Sequence, residues 1–174
     1  MNTGERKLIV VVAATSQGLI ASDGQIPWHL RDDLRHFSRL TRGNTVVMGR
    51  KTFESLPSGP LPARRNLIVS RRGFQAEGTE VFASPADAVA AARGNVFIIG
   101  GKALYDWALP LADELWLTLV KGYATPPSAS DIIVEGLQET NVFNANSWTL
   151  LSKETFAADE RNDHAFDILH FKRQ

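Results

Sequence analysis

The residues best placed to do chemistry lie between Ile26 and Leu40, in IPWHLRDDLRHFSRL. On a helical period Leu30, Leu34, Phe37 and Leu40 share a face, and Asp33 falls on it. Asp32 points elsewhere, toward solvent. A carboxylate on an apolar stripe is costly unless something hydrogen-bonds it. Burial and partners tune its proton affinity, which makes Asp33 a candidate acid–base group. From the helix alone, a structural carboxylate bonded by a neighbouring backbone group or hydroxyl is the commoner case.

Three further stretches could hold an anion. A strand over 45–49 ends in Met48-Gly49 and feeds Arg50-Lys51-Thr52, two cations and a hydroxyl at a helix start. Ser70-Arg71-Arg72 follows a strand over 66–70, and Gly100-Gly101 separates the apolar run Val96–Ile99 from a helix. Each cationic cluster alone is more often a solvated turn, and a lone Gly-Gly is a weak motif. All three sit at the C-terminal ends of strands, where open α/β sheets bind ligands. Their convergence suggests a phosphate, which glycines let approach backbone N–H groups without a Cβ in the way.

The elements that must position these residues follow from pattern. Strands are expected at 8–14, 45–49, 66–70, 80–82, 95–99, 114–121, 148–156 and 164–172. Helices are expected at 30–41, about 51–56, 85–93 and 102–109. The third helix has the clearest punctuation: Ser84 as N-cap, Pro85 at the first helical position and Gly94 after the end. Strand and helix alternate through residue 109, and the last three strands have no helix between them. That predicts a parallel sheet extended by antiparallel strands at its C-terminal end. Gly122 to Ser147 shows no good strand or helix pattern.

The chain has 174 residues, enough for one domain with a real core. Its 44% hydrophobic and 22% charged content argues against disorder. The 19 basic and 19 acidic residues balance, so no global field favours nucleic acid or an anionic membrane. Without cysteine there is no disulfide or thiolate metal site, and the four histidines have no metal spacing. Glu5-Arg6-Lys7 before Leu8–Ala14 imitates a short signal peptide, but its Val/Ile-rich run suits a buried strand better. A cytoplasmic location is expected.

Five pieces, in order, carry a likeness to a known family: LIASDGQIPWHLRDDLRHF, VVMGRKTFESL, LPARRNLIVSRR, VFIIGGKALY and ELWLTLV. The chain resembles the dihydrofolate reductase family from residue 8 to about 121, and more loosely beyond. The resemblance implies a single-domain α/β fold with an eight-stranded, mostly parallel mixed sheet and four flanking helices. It also implies an adenosine-binding subdomain over about 44–95. The implied reaction is NADPH-dependent reduction of 7,8-dihydrofolate, with hydride transfer to C6 and protonation at N5.

Residue by residue, the resemblance makes Asp33 the group that bonds the pterin and favours N5 protonation, through a water. Thr118 would bond Asp33, and Trp28 would complete the catalytic set. Val11, Val12, Ile26, Leu34, Phe37, Leu56, Leu61, Ile99 and Tyr105 would wall the substrate site. Arg64 would hold the carboxylate of the substrate's glutamate tail, with Arg65 pointing away. Toward NADPH, Arg50, Arg71 and the weaker Arg72 would meet the 2′-phosphate, with Ser70 beside them. Lys51 and Thr52 would meet the pyrophosphate, and Gly49, Gly100, Gly101, Lys102, Ala103 and Leu104 would line its path. The Gly100–Gly101 bond is expected to be cis. Ala13, Ile20, Ala21, Gly24 and Gln25 would face the nicotinamide, under a loop that Asp131 latches over residues 21–24.

Two departures stand out. The family usually has glycine where Ala21 stands, which matters if that position needs a positive φ, and often proline at Arg31. The implied partners are the small-molecule substrate and antifolate inhibitors, for a monomer without nucleic-acid or membrane partners. Two other readings stay open: a riboflavin-pathway type of NADPH reductase on the same fold, and a folate- or nucleotide-binding module without catalysis.

Overall fold

The computed structural model describes residues 6–143 and 146–174. The strands are β1 (Leu8–Thr15), β2 (Leu19–Ala21), β3 (Thr45–Gly49), β4 (Arg65–Val69), β5 (Thr79–Phe82), β6 (Val96–Ile98), β7 (Glu114–Val120), β8 (Ile132–Ile133), β9 (Trp148–Phe156) and β10 (Phe166–Arg173). The helices are α1 (Arg31–Thr41), α2 (Arg50–Glu54), α3 (Pro85–Ala91), α4 (Lys102–Ala108) and α5 (Glu139–Phe143), with a 3₁₀ turn at Glu135–Leu137. Eight strands form one mixed sheet in the order β5-β4-β3-β6-β1-β7-β10-β9, and β2 pairs with β8 in a separate ribbon. The pairs from β5 to β1 are parallel, and β7, β10 and β9 pair antiparallel.

The chain divides into two compact units, with β1 contributing to each. The first comprises Met1–Val10 and Arg39–Asp113. Its strands β3, β4 and β6 are short apolar runs, with Val46, Val47, Met48, Leu67, Ile68, Val96 and Ile98 all at 0% exposure. Such continuous burial is what a parallel sheet covered on both faces demands. Ser84 caps α3 by accepting a hydrogen bond from the Asp87 N–H at 3.1 Å, with Pro85 at the start. Just before β1, Arg6 donates to the carbonyls of Val89 and Ala92, tying the start of that strand to the end of α3.

The second unit comprises Val11–Ser38 and Glu114–Gln174. A core of Trp28, Leu30, Val120, Phe166 and Ile168 anchors it, with Ala13, Trp116, Tyr123 and Phe156 packed around. Helix α1 forms where its period predicts, but it is not seated by a buried apolar stripe. Within the helix only Thr41 is buried, and Leu34 is 57% exposed. Leu34 sits a quarter-turn off the side that carries Asp33, so it flanks the packed face. Asp32 is not a solvent carboxylate either. Its Oδ2 accepts from the Asn162 amide at 2.9 Å, and its N–H donates back to Asn162 Oδ1 at 3.2 Å. Asn162 is buried and is itself held by Asp159, whose carboxylate accepts its N–H at 2.9 Å. The loop around Asp159 thus pins the start of α1.

The stretch from 122 to 147 contains more order than its pattern predicts: β8, the 3₁₀ turn and α5 all fall there, so a fifth helix separates the late strands. Elements of two, three and five residues are too short for periodicity to register. They organise the loop after β1. Gly18 accepts from the Val134 N–H at 2.9 Å, Glu139 N–H donates to Ser16, and β2 pairs with β8. Gly18 has φ +82°, and a Cβ there would lie 2.5 Å from the Val134 carbonyl oxygen. Both the backbone sign and the space exclude a side chain. Gly18→Ala should therefore destabilise the protein by about 2 kcal/mol or more. Urea unfolding with an unchanged m-value, and faster amide exchange at Leu19 and Val134, check this.

Candidate active site

In the second unit, Asp33 and Thr118 come together. Strand β7 alternates, so Leu115 and Leu117 are buried at 0% on one side, and Glu114, Trp116 and Thr118 share the other. The Thr118 hydroxyl donates to Asp33 Oδ1 at 2.5 Å. Burial raises the Asp33 carboxyl from 3.8 to about 6, and the Thr118 hydrogen bond works against that rise. The group therefore changes charge near neutral pH, where an acid–base residue is most useful. Leu34, next to it on the helix, and Ile26, upstream of the helix, are exposed at 57% and 66%. Large apolar side chains left in water and a desolvated carboxylate are features suited to a flat, partly polar ring. Phe37 is half-buried on the same helix, Val12 is buried, and Val11 and Ala13 are partly so. Trp28 belongs to the core, edge-on to Tyr123 at 5.5 Å.

The loop Gly18–Gln25 has a firm geometry. Ser22 and Gln25 exchange backbone hydrogen bonds at 2.9 and 3.0 Å, with Asp23 and Gly24 between them at φ 52° and 73°. Ala21 sits in β2 opposite Ile132 and has no positive φ. Ala21 therefore carries no left-handed strain, because the left-handed residues are Asp23 and Gly24. Ile20 is buried. Asp131 does reach this loop, but through a side chain: its Oδ1 accepts from the Ser22 hydroxyl at 2.7 Å, and Oδ2 from the Ser128 N–H at 3.0 Å. A second link runs from the Ser130 hydroxyl to Asp23 at 2.6 Å. Ser22 and Ser130 have no motif, and their partners lie more than a hundred residues away.

In the first unit, three stretches carry the cationic and glycine residues. Gly49 donates to the Gly100 carbonyl at 2.8 Å, and the Gly100–Gly101 bond is cis, as the resemblance implies. Gly100 has φ +130°, and a Cβ there would lie 3.3 Å from Thr52 Oγ1. The cradle thus requires a bare backbone beside the Thr52 hydroxyl. Arg50 is oriented by Glu54, Nε to Oε1 2.6 Å, and lies over the Phe74 ring at 5.1 Å. Lys51 is exposed, and Lys102 pairs with Asp106 at 3.0 Å. Ser70 bonds the Arg72 carbonyl at 2.9 Å, and a hollow of about 720 Å³ is lined by Ser70–Ala76 and the facing residues of β5. Arg71 and Arg72 stand exposed on its rim. Cations, a hydroxyl and a glycine cradle fit a phosphorylated dinucleotide.

Three wall residues of this unit are partly buried, Leu56, Leu61 and Ile99, and Asn66 holds Leu61 through both its N–H and its carbonyl. Leu104 and Tyr105 are buried in α4, Ala103 is exposed, and burial pushes the Tyr105 phenol upward. Arg64 is held ready: Nε donates to the Pro62 carbonyl at 2.9 Å and Nη1 to Thr41 Oγ1 at 3.1 Å. Arg65 is committed elsewhere, to Glu80 and the Ala91 carbonyl.

These features describe an α/β enzyme that manages one proton and holds a phosphorylated ligand. The family model described as dihydrofolate reductase matches residues 7–173. The dihydrofolate reductase type 3 of Salmonella typhimurium is 42% identical over 171 residues, 96% of this chain and 99% of that protein. The dihydrofolate reductase of Mycobacterium leprae (strain TN) is 39% identical over 144 residues, 80% and 87% of the two chains. A solved dihydrofolate reductase from Enterococcus faecalis, complexed with NADP(H) and RAB-propyl, superposes with a TM-score of 0.79 at 28% identity, covering 97% of this chain and 96% of its own. The chain belongs to the dihydrofolate reductase family.

The sign of the Asp33 shift has a consequence for stability. A carboxyl whose folded pKa is raised binds its proton more tightly in the folded state, so stability falls as pH rises from about 4 to about 6. The full cost, about 3 kcal/mol for a rise from 3.8 to about 6, is present above that range. Asp33→Asn keeps an oxygen for Thr118 and removes the charge. It should stabilise the protein at pH 7.5 by up to about 3 kcal/mol, shrinking to about 1 kcal/mol at pH 4.5. Denaturant melts at the two pH values decide, and an Asn variant less stable at pH 7.5 would contradict the assignment.

Proposed function

We infer that this protein reduces 7,8-dihydrofolate to 5,6,7,8-tetrahydrofolate with NADPH. The observation that carries the reading is Asp33, a desolvated carboxylate on a Thr118 hydroxyl, in a chain of this family. Bound NADPH supplies the hydride that reduces C6. The protein's own task is to hold, orient and protonate. Asp33 accepts hydrogen bonds from the pterin's amino group and ring nitrogen, which its two oxygens suit, while Thr118 occupies Oδ1. A proton affinity near neutral lets the same carboxyl raise the basicity of N5, which takes its proton from a water. Leu34, Ile26 and Phe37 cover the ring and keep other water away, with Val11, Val12, Leu56, Leu61, Ile99 and Tyr105 as the remaining walls. Trp28 holds the Leu30 end of α1 in the core.

Arg64 takes the carboxylate of the glutamate tail with the planar edge that Pro62 and Thr41 orient. Arg50, Arg71 and Arg72 read the 2′-phosphate, with Ser70 fixing their turn. Lys51, Thr52 and the glycine cradle of Gly49, Gly100 and Gly101 hold the pyrophosphate, and Lys102, Ala103 and Leu104 continue the wall. Ala13, Ile20, Ala21, Gly24 and Gln25 cover the nicotinamide, under a loop fastened by Asp131. Within this reading the chain works as a single domain with its adenosine-binding part near residues 44–95. It is a cytoplasmic monomer on small molecules, antifolates included, without a nucleic-acid or membrane partner.

The direct test is NADPH oxidation followed with and without dihydrofolate. No dihydrofolate-dependent rate would overturn the reading. Asp33→Asn should lose at least about a hundredfold in rate at pH 7.5 and recover in part near pH 5, where the substrate is protonated in solution. Near wild-type turnover at pH 7.5 would take Asp33 out of the mechanism. Arg71→Ala should weaken NADPH by about tenfold or more and leave NADH nearly unchanged, as loss of a charge-assisted contact of about 1.5–3 kcal/mol requires. Equal losses, by titration of protein fluorescence, would mean that Arg71 does not read the extra phosphate.

A further inference from the structure

Helix α1 carries Asp33, yet it buries only Thr41. Something other than an apolar stripe must fix its rotation on the sheet. Along β7, Trp116 and Thr118 are two residues apart, about 6.6 Å. Along α1, Asp33 and His36 are three apart, a rise of about 4.5 Å on one face. The two pairs meet: Thr118 bonds Asp33 at 2.5 Å, and the His36 ring lies 4.9 Å from the Trp116 ring at 51°. With Asn162 holding its start, these two rungs set the rotation of the middle of α1.

The second rung is itself backed. Strand β10 places His170 directly opposite Trp116, so both lie on one face. Their rings stack at 3.8 Å and 8°. His170 Nε2 lies 2.5 Å from Glu114 Oε1, and these side chains are only 18% and 13% exposed. Glu114 is one rung further along the Trp116 face of β7. The groups facing His170 are therefore Glu114 and Trp116 from β7, with Ser152 opposite it on β9. Trp116, in turn, packs against the core that holds Trp28 and Leu30, just before α1.

We propose that Trp116 and His170, braced by Glu114, are positioning residues for the reaction: they fix the seat of α1 on β7 and so the direction of the Asp33 carboxylate. This rests on the reading of Asp33 given above. Removing the His170 ring leaves Trp116 without its stacked partner and loosens its contact with His36, so that the middle of α1, beyond the start that Asn162 pins, can shift at Asp33. Water then reaches Asp33, whose proton affinity is high because of burial.

The test compares His170→Ala with His170→Phe, which keeps a flat ring against Trp116. In the ligand-free protein, the carboxyl ¹³C titration of Asp33 should move down by about half a unit or more in His170→Ala and stay near wild type in His170→Phe. Single-turnover hydride transfer at pH 7.5 should fall about five- to tenfold in His170→Ala, with NADPH affinity within about twofold, and return in His170→Phe. An unmoved Asp33 titration in His170→Ala overturns the proposal, as does equal impairment of the two variants. Should His170→Ala fail to fold, Glu114→Gln must move the Asp33 titration downward, and no movement overturns the proposal. The titration needs no substrate, so a wild type inactive on dihydrofolate would sink the functional reading and leave this test standing.

Discussion

The hydrogen bond from Thr118 to Asp33 is the constraint around which the second unit is arranged. A carboxylate raised by burial to about 6 is an unfavourable thing to hold, and its single hydroxyl partner only offsets part of the cost. The surrounding contacts keep it there. Asn162 fastens Asp32 from both sides, Leu30 is buried in the core, and the Arg31 N–H donates to the Arg161 carbonyl at 3.1 Å. The start of α1 is thus fixed by backbone and amide bonds, and its middle by β7. A residue that costs stability and is nonetheless held in place by its surroundings is the usual sign of a site selected for chemistry.

The first unit solves a different problem. With 19 charges of each sign, the protein has no general attraction for an anion. Attraction has to be made locally, and cations on long side chains lose conformational freedom when they bind. Glu54 and Phe74 hold Arg50 in advance, as Asp106 holds Lys102. Each pair is half-exposed and contributes little to stability. Their effect is on where the charge waits. Arg64 is likewise oriented in advance, by the Pro62 carbonyl and the Thr41 hydroxyl.

The strands, α1 and the capped α3 were legible because each repeats a period or carries a local signal. Ser84-Pro85 is such a signal, and the Ser84 hydroxyl caps α3 as expected. Asp33 was legible as a candidate from the helical period, but its pairing with Thr118 only through the family likeness, since nothing local links residues 85 apart. The same distance hid Asn162, so Asp32 read as a solvent residue. Leu34 misled in another way. A period shows which residues share a face, not how much of that face is covered. The region from 122 to 147 resisted because its elements are shorter than the patterns that reveal elements, and because they pair with the loop after β1 rather than with neighbours in sequence. Ala21 looked like a defect because the family's glycine suggested a positive φ, but the turn takes its left-handed residues at Asp23 and Gly24 instead.

That shift changes what fastens the loop. A glycine-bearing loop held through backbone N–H groups needs its backbone turned toward the acceptor. Here Ala21 is engaged in the β2–β8 ribbon, and the bonds to the opposite segment come from side chains. Ser22 donates to Asp131, and Ser130 donates to Asp23, so each segment supplies one hydroxyl and one carboxylate. The two bonds are reciprocal, and each is worth about 1.5–3 kcal/mol at most because an acceptor is charged. The first is partly buried and the second exposed, which lowers that figure. The ribbon contributes order that does not depend on charge, while the two serine–aspartate bonds have charged acceptors and weaken with salt. A loop assembled this way has a rigid base at Leu19–Ala21 and a tip at Ser22–Gly24 whose attachment can be broken one hydrogen bond at a time. That division of labour suits the covering role proposed for this loop: the base keeps its register while the tip can open.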